Sequence, residues 1–208
     1  MPKYYPINLN IQGKKCVIIG GGEVAYRKAC SLKDADAEVT VVCPEPCPEL
    51  TKEKDITLIK KRYDESDLDG AFLIIAATDD ADVNRNVFQD ASKRNLLVNV
   101  VDCPELCSFI VPSSVVRGDL CISISTGGAS PALAKRIREN LEKTYGQEYE
   151  DYLKLLSKMR NLAMSKVTDP EKRRKILQRL AEPDIIELVK KHGPEKAEIE
   201  IQKKIEDF

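Results

Sequence analysis

The residues able to do chemistry in this chain form a narrow set. There is a single histidine, His192, in a polar C-terminal stretch. Ser-His-Asp and Cys-His nucleophile systems need an imidazole base beside the nucleophile, and a His-rich metal site needs several such rings. Neither is expected, and acid–base work falls to carboxylates. Asp102 directly follows Asn99-Val100-Val101, an apolar stretch that reads as the end of a strand. A strand-tip Asp is placed either for catalysis or for an ordinary turn. Asp79 and Asp80 precede a helical pattern and suit helix capping.

A second set is built from glycine. Gly20, Gly21 and Gly22 follow the apolar run Cys16-Val17-Ile18-Ile19 and precede the helical pattern that starts at Glu23. Strand, glycine turn and helix form the setting in which G-x-G-x-x-A has a mechanism: Gly20 for a tight turn, Gly22 for close approach of a pyrophosphate, Ala25 for close helix–strand packing. The first-turn N–H groups of Glu23, Val24 and their neighbours would face the phosphates. The acid that holds a ribose is expected roughly 20 residues further on, at the tip of strand two. That tip is Cys43-Pro44 with Glu45 just after, so Glu45 or the backbone takes the role. No Arg sits at the tip to hold a 2′-phosphate, which points to NAD over NADP. The other loops at the same sheet edge carry Thr78, Asp79 and Asp102.

A second glycine loop, Ser125-Thr126-Gly127-Gly128-Ala129-Ser130-Pro131, ends in an N-cap and N1 pair. It offers hydroxyls and N–H groups at a helix start, with Lys135, Arg136 and Arg138 behind it, and would suit an acidic ligand. The seven cysteines, an odd number, argue against a disulfide framework. Cys43/Cys47 and Cys103/Cys107 have C-x3-C spacing, unlike common zinc sites, and no metal site is expected. Cys16 and Cys121 lie in apolar strands and read as small core residues.

The elements that must position these residues follow from periodicity. Strands are expected at Lys15–Ile19, Glu38–Cys43, Ile56–Lys60, Ala71–Ala76 and Leu96–Val100, with helices at Glu23–Lys33 and Asp80–Arg94. Ala71–Ala76 is the most apolar strand and is expected at the centre. The alternation implies a parallel sheet with right-handed crossovers. Two strands, Phe109–Val116 and Leu120–Ser125, then lead to a helix from Pro131 to about Thr144. Beyond it the chain is helical. Tyr149, Tyr152, Leu153, Leu156, Met159 and Ala163 form an apolar stripe, and the charged segment after Gly193-Pro194 reads as a loosely packed helix.

Bulk composition excludes several classes. The formal net charge of −1 gives no basic field for nucleic acid, and the 5% aromatic share without Trp gives no base-stacking platform. No apolar run approaches the roughly 20 residues that span a bilayer. The N-terminal Met1-Pro2-Lys3-Tyr4-Tyr5-Pro6 has no signal-peptide core. A cytoplasmic location is expected.

Taken together the motifs resemble the precorrin-2 dehydrogenase / sirohydrochlorin ferrochelatase family, which includes the N-terminal half of sirohaem synthase. The matching pieces are Tyr4-Tyr5-Pro6-Ile7, Gly20 to Lys28, Ala76-Ala77-Thr78-Asp79-Asp80, Asn99-Val100-Val101-Asp102, Ser108-Phe109-Ile110-Val111-Pro112 and Ser125 to Pro131, in the family's order over about 1–140. The resemblance implies an α/β, Rossmann-type parallel sheet in 1–112, a small dimerisation region in 113–145 and an all-helical C-terminal domain in 146–208. It implies a homodimer with sites at the subunit interface, and NAD-dependent oxidation of precorrin-2 to sirohydrochlorin. Some members also insert Fe²⁺. By motif match Asp102 falls on the catalytic Asp, and Glu23, Val24, Pro44 and Glu45 fall on NAD-contacting positions. The tetrapyrrole's carboxylates suit Ser125, Thr126, Gly127 and Gly128. Two other readings compete: a non-enzymatic NAD-sensing module and a chelatase without dehydrogenase activity. Asp36 stands where the family usually has Gly, a left-handed position that Asp tolerates better than most residues. Thr126 stands where some members have Ser. With its end at 208, the chain is expected to lack the methyltransferase half of full sirohaem synthase.

Overall fold

The structure is a computed structural model and describes residues 3–206. Met1 and Pro2, part of the segment read above for a signal peptide, lie outside the described residues. The chain forms two compact units that divide between Val111 and Pro112.

The first unit is an open sheet of five parallel strands: β1 (Lys15–Ile19), β2 (Glu38–Val42), β3 (Thr57–Ile59), β4 (Leu73–Ala76) and β5 (Leu97–Val100). Their spatial order is β3-β2-β1-β4-β5. Side chains of successive strand residues point to opposite faces, and both faces are covered. Cys16, Ile18, Val39, Val41, Leu73 and Ile75 pack with Ala25, Ala29 and Leu32 of helix α1 (Glu23–Lys33). Val17, Ile19, Val42, Ile74, Val98 and Val100 pack with Val87 and Ala91 of helix α2 (Ala81–Lys93). Continuous apolar strands are what burial on both faces demands. Each fully buried Ile or Val contributes roughly 1.5–3 kcal/mol.

The central strand is β1, not the more apolar β4. Apolarity reports two covered faces, and both strands have them; position is set by the crossovers. β3 is a short edge strand. Asp36 occupies the left-handed region at φ 58°, its carbonyl accepting from the Gly13 N–H at 2.8 Å. The turn demands that backbone, and Asp supplies it in place of Gly.

The second unit begins with a hairpin of β6 (Ser113–Arg117) and β7 (Leu120–Ile124). The first of these strands starts later than periodicity suggests. The Phe109 carbonyl is taken by the Asn99 side chain at 3.0 Å, and Pro112 has no N–H to give a ladder. Cys121 is exposed; in a half-covered hairpin it falls on the outer face, paired with exposed Val116. Helices α3 (Pro131–Thr144), α4 (Glu148–Lys166), α5 (Pro170–Leu180), α6 (Pro183–His192) and α7 (Pro194–Glu206) complete it.

Tyr152, Leu155, Met159 and Ala163 are the buried residues of α4. Leu155 belongs to the core instead of Leu153, because the helix turns its stripe towards three partners rather than one. Tyr152 Oη donates to the Leu180 carbonyl at 2.7 Å. Ala197 and Ile201 of α7 are buried in the same cluster, and Glu198 pairs with Lys158 at 2.5 Å. The charged C-terminal helix is therefore packed, through two small footholds that a charge-dominated segment hides. Among the described residues no helix is long and apolar enough to cross a membrane.

Candidate functional site

Chain order reverses at β1: the path runs outward to β2 and β3, then returns to β4 and β5. Ligands of open α/β sheets bind at such a switch point, beyond the strands' carboxyl ends. A cleft of about 1120 Å³ lies there, walled by the loops that follow β1, β2, β4 and β5.

The glycine turn supplies the floor, with the three residues doing different work. Gly20 has φ +133°, and a Cβ there would lie 2.1 Å from the Ala77 carbonyl oxygen. A Cβ on Gly21 would lie 2.5 Å from the Glu45 carbonyl oxygen and 2.7 Å from Cys43 Sγ. These two glycines let the β4 and β2 loops close onto the turn. Gly22 has extended backbone and a Cβ on it would meet nothing within 4 Å. Its open side lines the cleft. Gly22 gives α1 no side-chain cap, and the first intrahelical acceptor bond is Tyr26 N to Gly22 O. The preceding N–H groups stay available, as an anion site requires.

The β2 wall carries Pro44 and Glu45, both exposed into the cleft. Beneath them Cys43 is buried, and burial, with Cys47 as a lesser cause, pushes its thiol up. Cys47 ties the loop to the turn by donating its N–H to the Gly21 carbonyl at 2.7 Å. The loop after β3 brings in Arg62 and Tyr63. Among the described residues Arg62 has no hydrogen-bond or ion-pair partner. Tyr63 Oη donates to Asp90 at 3.0 Å, and burial, then Asp90, drives its ionisation far upward. Thus a cation enters the cleft from the loop after β3, although none stands at the β2 tip. Sequence spacing missed it because β3 lies beside β2 only in the folded sheet.

On the other side stand Thr78, Asp79 and Asp102. Asp80 caps α2, accepting from the N–H groups of Asp82 at 2.9 Å and Val83 at 3.1 Å. Asp79 is left exposed on the wall. Asp102 has φ 59°, an uncommon conformation for a residue with a Cβ that clusters at functional sites. Among the described residues its carboxylate has no hydrogen-bond partner. Cys107 braces the chain beneath it: Sγ accepts from Val100 N at 3.2 Å and can donate to the Val100 or Cys103 carbonyl, each at 3.2 Å. Burial pushes this thiol up and keeps its proton for that bond. The remaining cysteines are free thiols as well. Among the described residues no group of three His, Cys, Asp or Glu could hold a metal ion.

The second glycine loop belongs to the other unit. Gly127 and Gly128 have φ +61° and +88°. Ser125 Oγ accepts from Gly127 N at 3.1 Å, Thr126 Oγ1 from Ser130 N at 3.1 Å and Ser130 Oγ from Leu133 N at 3.2 Å. Thr126 thus acts through a hydroxyl that Ser also has. Arg138 pairs with Glu142 and Lys135 with Glu139. The loop satisfies more of its own donors than its composition suggests.

These features define a dinucleotide-binding protein of the Rossmann class, and the comparisons with known proteins agree. A family model described as "Putative NAD(P)-binding" matches residues 7–113, and one described as "Sirohaem biosynthesis protein central" matches residues 117–144. The siroheme synthase of Thioalkalivibrio sulfidiphilus is 37% identical over 206 residues, 98% of this chain and 42% of the relative. That of Methylobacillus flagellatus is 48% identical over 149 residues, 68% of this chain and 32% of the relative. The solved structure of SirC, a precorrin-2 dehydrogenase, superposes with a TM-score of 0.82 at 27% identity, covering 99% of this chain and all of that one. The chain belongs to the precorrin-2 dehydrogenase / sirohydrochlorin ferrochelatase family. It spans less than half the length of these siroheme synthases.

Proposed function

We propose that this protein oxidises precorrin-2 to sirohydrochlorin with NAD as acceptor, a step towards sirohaem. The observation that carries the reading is one cleft holding both an uncapped glycine-turn helix and a free strand-tip carboxylate, Asp102. The residues fit the cofactor. The open face of Gly22 and the free N–H groups of α1 suit a pyrophosphate, and Glu45 suits ribose hydroxyls. Gly20, Gly21, Glu23, Val24, Pro44, Thr78 and Asp79 complete its surroundings.

NAD supplies the hydride acceptor, so that precorrin-2 and NAD⁺ give sirohydrochlorin, NADH and H⁺. The protein's part is to align two flat molecules and to take the proton, for which Asp102 is the base. Ser125, Thr126, Gly127 and Gly128 bind substrate carboxylates. Fe²⁺ is a co-substrate for a further step in which Asp102 assists loss of two pyrrole protons. The working form is a cytoplasmic homodimer, with 1–112 binding NAD, 113–145 forming the dimerisation region and 146–208 the helical domain.

The test is anaerobic incubation with enzymatically generated precorrin-2 and NAD, without metal, following NADH and the macrocycle spectrum together. Stoichiometric NADH and sirohydrochlorin are expected, and Fe²⁺ added to the same cuvette then reports chelation. NAD binding with neither signal would overturn the enzyme reading in favour of an NAD sensor. Asp102→Asn keeps the left-handed backbone accessible and is expected to lower turnover about 10²–10⁴-fold with NAD affinity retained.

A further inference from the structure

The buried residues of α2 are Asn84, Val87 and Ala91. An amide in an otherwise apolar helix stripe is expensive unless satisfied, and Asn84 is only 8% exposed. It spends its hydrogen bonds on one residue. Oδ1 accepts from Thr78 N at 3.3 Å and from Thr78 Oγ1 at 2.8 Å, and Nδ2 donates to Thr78 O at 2.9 Å. Thr78 Oγ1 also accepts from Asp80 N at 3.2 Å, and the Asp80 carbonyl at 3.0 Å is the other acceptor within reach of its single proton. Both Thr78 donors are consumed inside the protein, so Thr78 offers a ligand none.

We propose that Asn84 is a positioning residue for the dinucleotide: its amide clamps the β4 loop at Thr78 and so sets the width of the cleft between the β1 and β4 loops. The lever is short. Ala77, next to Thr78, already lies so close to Gly20 that a Cβ there would be 2.1 Å from its carbonyl oxygen. Release of the clamp moves the wall that carries Asp79 relative to the floor made by the glycine turn. The adenosine half, held from the β2 side by Glu45, is untouched by that movement. The inference rests on the reading of the cleft as an NAD site.

Calorimetric titration with NAD and with AMP separates the two halves. Asn84→Leu keeps the bulk and burial while removing all three bonds to Thr78. Its Kd for NAD is expected to rise about tenfold, with that for AMP changed by less than about twofold. Thr78→Val removes the hydroxyl from the other end and should shift NAD in the same direction by a smaller factor, while Thr78→Ser, which retains it, should bind as wild type. This second pair decides the matter if Asn84→Leu does not fold. A role confined to stability would move the melting midpoint and weaken NAD and AMP equally. That outcome, or unchanged NAD affinity in Asn84→Leu and Thr78→Val, overturns the clamp. A wild-type protein that binds AMP but not NAD overturns the NAD reading itself, and the clamp with it.

Discussion

The chain carries two glycine loops that each lead into a helix, and they are built on opposite principles. At Gly20 and Gly21 the glycines are required by neighbours: added Cβ atoms would sit 2.1 and 2.5 Å from backbone oxygens. At Gly127 and Gly128 a Cβ would meet nothing within 4 Å, and only the positive φ calls for glycine. The first loop leaves its helix without a side-chain cap, whereas the second closes its helix with Ser130. An open N-terminus beside close-packed backbone leaves its N–H groups to an anion, whereas Ser130 takes the Leu133 N–H of its own helix. Similar composition thus encodes a rigid floor of free N–H groups in one unit and, in the other, a turn whose hydroxyls accept from its own N–H groups.

Substitutions should expose this difference, the largest at Gly20. Gly20→Ala forces both a backbone clash and an inaccessible φ, and is expected to cost ~3 kcal/mol or more. Gly127→Ala meets only the left-handed penalty, about 1–2 kcal/mol. Urea titration of the two variants measures the gap, and equal losses would erase the contrast. Gly22→Ala should leave stability within about 0.5 kcal/mol yet weaken NAD several-fold, since its Cβ enters ligand space; calorimetry beside a melting curve separates these. Ser130→Ala removes the cap that α1 lacks, and should lower stability by about 1 kcal/mol without changing NAD affinity.

The smallest effect is one of pH. Asp169 caps α5, and the N–H groups of Lys172 and Glu171 lower its pKa from the ordinary carboxylate value. A depressed folded pKa means that this contribution is present above the unfolded pKa, near 3.9, and lost as pH falls through the lower folded value. Urea midpoints at pH 6 and pH 3 should therefore differ less for Asp169→Asn than for wild type. The α1 terminus, with Gly22 at the cap position, has no side-chain cap hydrogen bond to lose.

Much of the scaffold was legible in the sequence because its rules are local. The β1–turn–α1 unit and the Ser130-Pro131 helix start follow from period and cap chemistry within a few residues, and the left-handed Asp36 from the family resemblance. So did four of the five loops that line the cleft, since parallel strands present one edge to ligands; the loop after β3 did not. The site's inner wiring was not. Asn84 reads as a polar interruption in a helical stripe, with no sign of which loop it holds. Cys107 reads as half of a C-x3-C pair, not as the brace beneath Asp102.

The sequence alone thus determined which segments are strands and helices, where their glycine and aspartate turns fall, and which family of proteins the chain resembles. Tertiary structure decided that β1 rather than β4 is central, that Arg62 joins the cleft from β3, that Leu155 rather than Leu153 enters the helical core, and that Asp102 stands on left-handed backbone. The physical reason is range. Propensity and periodicity act over one or two turns of chain, whereas strand order, close backbone approach and buried polar pairing depend on which distant segments the crossovers bring into contact.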